Sequence, residues 1–126
     1  RFIMKRVLVI DDDQMILQSI AFNLKNENYE IITAADGYHA LELVDKSKID
    51  VIICDIMMPT ISGLGLLSLL KNFYLNNIPV IIISSLNKDD VEPSALDMGA
   101  SYFMPKPLDY DELTKHVQKL SNKIIH

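Results

Sequence analysis

Strand-like and helix-like segments alternate five times along this chain, and that alternation limits the fold more than any other feature. Several strand-like runs are apolar apart from Arg6 at the start of the first: RVLVI at residues 6–10, VIIC at 51–54 and PVIII at 79–83. Unbroken apolar runs indicate strands buried on both faces, which is typical of parallel sheets. Shorter strands are expected at residues 29–33 and 102–104.

Helical spacing of apolar residues fills the segments between these strands. Asp13 is expected to cap the first helix. The fourth helix is expected to be short, with Asp90 or Glu92 near its cap and Gly99 at its end, because Pro93 fits only a first helical turn. The other helices are expected over residues 14–26, from 37 onward, over 63–74 and from 110 onward. The second helix is expected to bury Ala40, Leu41 and Val44. The last helix is expected to face the core with Tyr110, Leu113, Val117, Leu120 and Ile124.

Repeated strand–helix alternation predicts right-handed crossovers and one parallel sheet with helices on both faces. A chain of 126 residues is the size of one domain, and an apolar fraction of 49% supports a substantial core. The sequence contains no linker-like or repeated segment. The predicted fold is therefore α/β: a single doubly wound (βα)5 sandwich around a parallel five-stranded sheet.

Composition argues against two classes of partner. The net charge is −5 and the basic residues are scattered, so direct nucleic-acid binding by this segment is not expected. No apolar run approaches the roughly 20 residues that span a bilayer, so no membrane association is expected. The only cysteine, Cys54, falls in a predicted buried strand, and that usage favours a cytoplasmic location.

Polar residues close four of the predicted strands. Asp11, Asp12 and Asp13 follow the first strand and Asp55 ends the third. The fourth and fifth strands contribute a hydroxyl and an ammonium group, from Ser84 and Lys106. Because the carboxyl ends of parallel strands meet at one edge of a sheet, where ligands bind, these side chains are expected to share one shallow pocket.

Clustered carboxylates repel one another, so the predicted pocket requires positive charge. Lys106 supplies one cation, which is too little for three or four acids. Oxygen-only ligands favour a hard divalent ion, and Mg²⁺ suits two carboxylates plus retained water, with Mn²⁺ as a substitute. Beside such an ion, Asp55 is a candidate nucleophile for a phosphoryl group. Lys106 would neutralise phosphoryl oxygens, and Ser84 could donate a hydrogen bond to one of them.

Four fragments, VLVIDDD, VIICDIMMP, PVIIISS and GASYFMPKP, occur in an order and spacing that resemble the receiver domain of two-component response regulators. The resemblance extends over essentially the whole chain. It implies a flavodoxin-like sheet with strand order 2-1-3-4-5 and a receiver domain over residues 4–124.

The resemblance also implies a role for each site residue. Asp55 matches the phospho-acceptor and a metal ligand, Asp12 a direct metal ligand, and Asp11 a ligand acting through water. Met57 would contribute its backbone carbonyl to the metal. Three further residues match the switch hydroxyl, the switch aromatic and the site lysine, the last followed by a cis peptide bond: Ser84, Phe103 and Lys106.

The implied activity is that of a signalling switch, not an enzyme, although such a domain would catalyse its own phosphorylation and dephosphorylation. A sensor histidine kinase or phosphotransfer protein would donate its phosphoryl group to Asp55. The face formed by helix 4, strand 5 and helix 5 would then change for a downstream output domain or protein, and a phosphorylation-dependent homodimer is compatible with this scheme.

Three other readings compete with a phospho-accepting receiver. A haloacid-dehalogenase-like phosphatase would use Asp11 and Asp13, but it leaves Asp55 without a role. A nucleotide- or flavin-binding module would place phosphate at a helix N-terminus, where the acidic residues 11–13 would repel it. A pseudo-receiver that serves only as an interaction module would not need the complete set of acids, hydroxyl and lysine.

Overall fold

The computed structural model describes residues 4–25, 27–74 and 77–122. Its five strands are parallel and lie in the order β2-β1-β3-β4-β5, which confirms the predicted doubly wound, flavodoxin-like α/β fold. The elements alternate without exception: β1 (Lys5–Ile10), α1 (Gln14–Lys25), β2 (Tyr29–Ala34), α2 (Gly37–Lys46), β3 (Val51–Asp55), α3 (Gly63–Asn72), β4 (Val80–Ser84), α4 (Lys88–Asp97), β5 (Tyr102–Pro105) and α5 (Tyr110–Asn122).

The central strand β3 is held by ladders on both of its edges. Cys54 lies opposite Ile10 of β1 and Ile82 of β4. All five residues of β3 and all five of β4 are buried, as expected for strands covered on both faces. The backbone of β3 therefore has little freedom to shift, and this fixes the position of its last residue, Asp55.

Helices cover the two faces of the sheet unequally. Side chains of α1 and α5 pack on one face against alternate residues of the strands, including Val9, Ile53 and Ile83. The other three helices cover the opposite face, where Ile10, Cys54 and other strand residues meet leucines of α3. Within the described part of the chain, no helix is long and apolar enough to cross a membrane.

Local features at several element ends agree with the sequence. Asp13 Oδ1 accepts a hydrogen bond from the Met15 N–H at 2.9 Å, which confirms Asp13 as the cap of α1. Gly99 follows α4 with φ +107, a backbone conformation that favours glycine. Helix α3 ends at Asn72, two residues earlier than expected. The predicted helical positions Asn26 and Ile124, and with them the end of the expected domain at 124, lie outside the described residues.

The expectation for α4 was wrong at its N-terminus. The helix begins at Lys88, five residues before Pro93, and Asn87 caps it by accepting a hydrogen bond from the Asp89 N–H at 2.9 Å. Pro93 thus lies in the second turn and cannot donate to the Asp89 carbonyl. Because Asp89 is exposed, water can satisfy that carbonyl, and the lost bond does not end the helix.

The β3–α3 connection contains a tight turn centred on Thr60. The Ile61 N–H donates to the Pro59 carbonyl at 2.8 Å, which closes a three-residue turn, and Thr60 has φ +67. A β-branched residue is strained in this left-handed region. Asn28 has the same φ of 67 after α1, but asparagine tolerates that conformation.

We expect Thr60→Gly to raise the free energy of unfolding by about 1 kcal/mol, because relief of left-handed strain outweighs the extra chain entropy of glycine. Asn28→Gly is the matched control and is expected to change stability by only a few tenths of a kcal/mol. Urea unfolding followed by circular dichroism measures both variants. A loss of stability in Thr60→Gly would show that the threonine is not strained.

Candidate functional site

The topology brings the predicted polar residues to one edge of the sheet. Asp11 follows β1, Asp55 ends β3, Ser84 ends β4 and Lys106 follows β5. All four strands run in the same direction, so these positions share the carboxyl edge. Asp55 pairs with Ile83, the residue immediately before Ser84.

Lys106 connects the ends of β1 and β3 electrostatically. Its Nζ lies 2.8 Å from Asp11 Oδ2 and 3.2 Å from Asp55 Oδ1. The Lys106 N–H also donates to the Ser84 carbonyl at 2.8 Å, and the bond from Lys106 to Pro107 is cis. The ammonium group therefore lies between two carboxylates that come from different strands.

Both of these carboxylates are buried. Asp11 is 0% exposed and Asp55 is 4% exposed. Asp11 is also anchored by the Asp13 N–H, which donates to its Oδ1 at 2.9 Å. Each oxygen of Asp11 thus accepts a hydrogen bond, and a single ammonium balances part of the negative charge that the two aspartates share.

The electrostatic environment raises the pKa of two site residues. Burial and the neighbouring charge of Asp11 raise the pKa of Asp55, and Lys106 only partly offsets them. Burial alone would lower the pKa of Lys106, but the hydrogen bond and charge of Asp11, together with Asp55, raise it overall. The ammonium of Lys106 therefore stays protonated at neutral pH, whereas the ionised form of Asp55 is destabilised relative to the protonated form.

A third acid completes a group that could hold a metal ion. Asp11, Asp12 and Asp55 each place one carboxylate oxygen within 4.8 Å of the others. Asp12 is exposed, so the group is open to solvent on one side. Oxygen donors in this number and spacing fit a hard divalent cation that retains water, and Mg²⁺ is such an ion.

An open, mostly apolar cavity of about 470 Å³ adjoins the acidic group. Met57 is 57% exposed at its rim, so its side chain is directed toward solvent and not into the core. Six residues of the first and third strand–helix connections line the cavity: Asp12, Ile56, Met57, Met58, Pro59 and Ser62.

Ser84 and Phe103 are buried, as Asp11 and Asp55 are. Ser84 is fully buried, and its Oγ accepts a hydrogen bond from the Leu86 N–H at 3.0 Å. Phe103 pairs with Ile82 and is buried in the core on the face covered by α2, α3 and α4. The structure thus places Ser84 next to the register partner of Asp55, whereas Phe103 is part of the hydrophobic core.

Asp13 does not belong to the acidic group. Its side chain caps α1 and its N–H donates to Asp11 Oδ1, so the Asp13 carboxylate that the phosphatase alternative would use is engaged in helix capping. One residue of structural importance was missed: the sequence pattern indicated only a helix start at Gly63. In the structure its N–H donates to the Ile56 carbonyl at 2.8 Å, directly beside Asp55.

Comparisons with known proteins agree with this geometry. A family model described as the response regulator receiver domain matches residues 7–118. The response regulator GtcR of Aneurinibacillus migulanus is 36% identical over 114 residues, which are 90% of this chain and 46% of that protein. The transcriptional regulatory protein CrdR of Helicobacter pylori is 29% identical over 118 residues, which are 94% of this chain and 55% of that protein.

Solved structures show the same relationship. The receiver domain of the Francisella response regulator 1452 is 35% identical, with a TM-score of 0.89 and coverage of 94% of this chain and 98% of that one. The chain spans about half the length of the curated relatives it matches. From the family match, the strand order and the acidic edge together, we conclude that the chain belongs to the receiver-domain family of response regulators, the signalling switches of two-component systems.

Proposed function

We propose that Asp55 of this receiver domain accepts a phosphoryl group from a phosphohistidine, and that residues 4–124 form the domain. The observation that carries the proposal is the contact of one ammonium, that of Lys106, with buried carboxylates from β1 and β3. A nucleophilic carboxylate must be held close to cations that neutralise the incoming phosphoryl oxygens. Asp55 satisfies this condition, because it ends the central strand and contacts Lys106 at 3.2 Å.

In this proposal Asp12 and Asp55 bind Mg²⁺ directly, Asp11 binds it through water, and the backbone carbonyl of Met57 completes the protein ligands. Mn²⁺ would substitute for Mg²⁺, because it prefers similar oxygen ligands. The bound ion would supply positive charge to the phosphoryl oxygens. Support comes from the three carboxylate oxygens within 4.8 Å of one another and from the exposure of Asp12, which leaves room for water.

The proposed step is an in-line displacement at phosphorus. A carboxylate oxygen of Asp55 forms the new P–O bond as the P–N bond of the phosphohistidine breaks. The imidazole leaves with the bonding electron pair. It takes up one proton from solvent, which leaves a neutral histidine on the donor. Lys106 shifts its ammonium contact from the Asp55 carboxylate toward the transferred phosphoryl oxygens.

Ser84 and Phe103 would change position when Asp55 is phosphorylated, and these changes would alter the rest of the domain. The Ser84 hydroxyl has a proton to donate to a phosphoryl oxygen, while its oxygen already accepts from Leu86. A movement of Ser84 toward Asp55 would therefore pull on the connection that leads into α4. Phe103, on the neighbouring strand, would adjust its packing, and the face made of α4, β5 and α5 would change.

We propose partners of the same classes as for the family. A sensor histidine kinase or phosphotransfer protein would donate the phosphoryl group, and an output domain or protein would read the altered face. A phosphorylation-dependent homodimer is a further arrangement to test. Two longer relatives carry names of transcriptional regulators, CrdR and PhoP of Bacillus subtilis, but this segment itself is proposed to bind neither nucleic acid nor membrane and to act in the cytoplasm.

Incubation with acetyl phosphate and Mg²⁺ is expected to add one phosphoryl group to the wild-type protein and none to Asp55→Asn, because the amide is not nucleophilic. Intact-protein mass spectrometry measures the added mass. Asp13→Asn is the matched control, since asparagine still caps α1, and it is expected to be labelled like the wild type. Equal labelling of Asp55→Asn and the wild type would exclude Asp55 as the acceptor.

Lys106→Ala is expected to lower the free energy of unfolding by about 3 kcal/mol in metal-free buffer, because it leaves two buried carboxylates without their cation. Mg²⁺ binding should persist, since the acidic ligands remain. Beryllofluoride with Mg²⁺ should no longer shift the NMR signals of Ser84 and Phe103. Lys115→Ala, an exposed lysine on α5, is the control and should respond like the wild type. A full response in Lys106→Ala would contradict the proposed role.

The raised pKa of Asp55 predicts a pH-dependent stability difference between the wild type and Asp55→Asn in EDTA. The folded state favours the protonated acid, so ionisation of Asp55 costs stability as pH rises from about 3.8 through the folded pKa. Asp55→Asn avoids this cost, and its advantage should grow over that interval and level off above the folded pKa of Asp55. Urea unfolding at a series of pH values measures it, and Mg²⁺ at pH 7 should abolish it. An advantage that shrinks with rising pH would refute the assignment.

A further inference from the structure

Gly63, the first residue of α3, lies directly against the main chain that carries Asp55. A Cβ added at Gly63 would come 2.1 Å from the Asp55 carbonyl oxygen, 2.8 Å from its carbonyl carbon and 2.9 Å from Ile56 Cα. All three atoms belong to the backbone, so no side-chain rotation can make room. The Gly63 N–H completes the contact by donating to the Ile56 carbonyl at 2.8 Å.

Glycine is required at position 63 because there is no room for a Cβ, and not because the backbone adopts a left-handed conformation. Among the described glycines, only Gly99 has φ in the left-handed region. Gly65, two residues further along the same turn, differs from Gly63 because its added Cβ would meet only side chains, Ser62 Oγ at 3.3 Å and Ile61 Cγ2 at 3.4 Å. These two glycines therefore form a natural pair for comparison: one faces the acceptor's backbone and the other does not.

The backbone next to Gly63 is restrained on its other side. The Ile56 N–H donates to the Ile83 carbonyl at 3.1 Å, and Asp55 is in register with Ile83. The β3–α3 connection is also held in place, because its Ile61 packs closely against Gly37 of α2. A Cβ added at Gly37 would lie only 3.1 Å from Ile61 Cβ. A side chain at position 63 would therefore rotate the peptide between Asp55 and Ile56 or lift the start of α3 from it.

We propose that Gly63 is a positioning residue for phosphoryl acceptance: its missing side chain lets α3 contact the Asp55–Ile56 peptide and thereby sets the directions of the Asp55 carboxylate and the Met57 carbonyl. The inference rests on the proposed function, because it assigns those two groups to the acceptor and metal sites. Both groups lie within two residues of the peptide that Gly63 contacts. A small rotation of this peptide would move them relative to Asp12 and Lys106.

The test compares Gly63→Ala with two controls. Gly65→Ala adds the same methyl group in the same turn without backbone contact. Leu70→Ala removes a buried side chain of α3 and so lowers stability at a distance from the site. Each protein is titrated with Mg²⁺, labelled with acetyl phosphate at saturating Mg²⁺, and analysed by amide hydrogen exchange in EDTA.

Gly63→Ala is expected to raise the Mg²⁺ dissociation constant by about tenfold or more, the range typical of disturbed support around metal ligands, and to slow labelling. In EDTA the amide of residue 63 should lose its protection from exchange, while the β3 amides keep theirs. Both controls should bind Mg²⁺ and be labelled like the wild type, although Leu70→Ala unfolds at lower urea concentration.

If Gly63→Ala shows no cooperative unfolding, the comparison moves to the Thr60→Gly background, with Thr60→Gly alone as its reference. Mg²⁺ affinity and labelling equal to the reference would overturn the role of Gly63 and leave the proposed function intact. The same holds if Leu70→Ala reproduces the losses, because they would then follow from stability alone. Failure of the wild type to bind Mg²⁺ or to be labelled would instead reject the proposed function, and the inference with it.

Discussion

Two carboxylates at the end of a hydrophobic sheet require a cation, and the Lys106 ammonium supplies it. Asp11 and Asp55 are both almost fully buried, so their mutual repulsion cannot be relieved by water. The lysine comes from beyond β5, at the edge of the sheet, and passes the end of β4 to reach aspartates from β1 and β3. The backbone N–H of Lys106 donates to the Ser84 carbonyl, and this hydrogen bond fixes the main chain from which the lysine side chain extends. One ion cluster thus links the ends of three strands.

The cluster remains incompletely neutralised, and its chemistry depends on that imbalance. Burial and Asp11 raise the pKa of Asp55 despite the lysine, so the site gains stability from any added positive charge. The exposed carboxylate of Asp12 provides the route by which a hydrated cation could reach it. The same imbalance is expected to lower the stability of the metal-free protein, as functional sites often do.

Much of this could be predicted from the sequence because it depends on local pattern. Unbroken apolar runs identified the buried strands, and polar residues directly after them identified the carboxyl edge. Asp13 as a cap and Gly99 as a helix end follow from the preferences of single residues. The start of α4 was misplaced because the capping by Asn87 and the solvent exposure of Asp89 outweigh the general preference of Pro93 for a first turn.

By itself, the sequence determined the fold class, the strand order through family resemblance, and which residue types gather at one edge of the sheet. Only the tertiary structure decided that Lys106 lies closer to Asp11 than to Asp55, and that Phe103 packs in the core. It also decided that Gly63, and not Gly65, touches the acceptor's backbone. The reason is physical: these distances depend on sheet register and on helix packing between residues far apart in the chain, whereas propensity and periodicity describe only near neighbours.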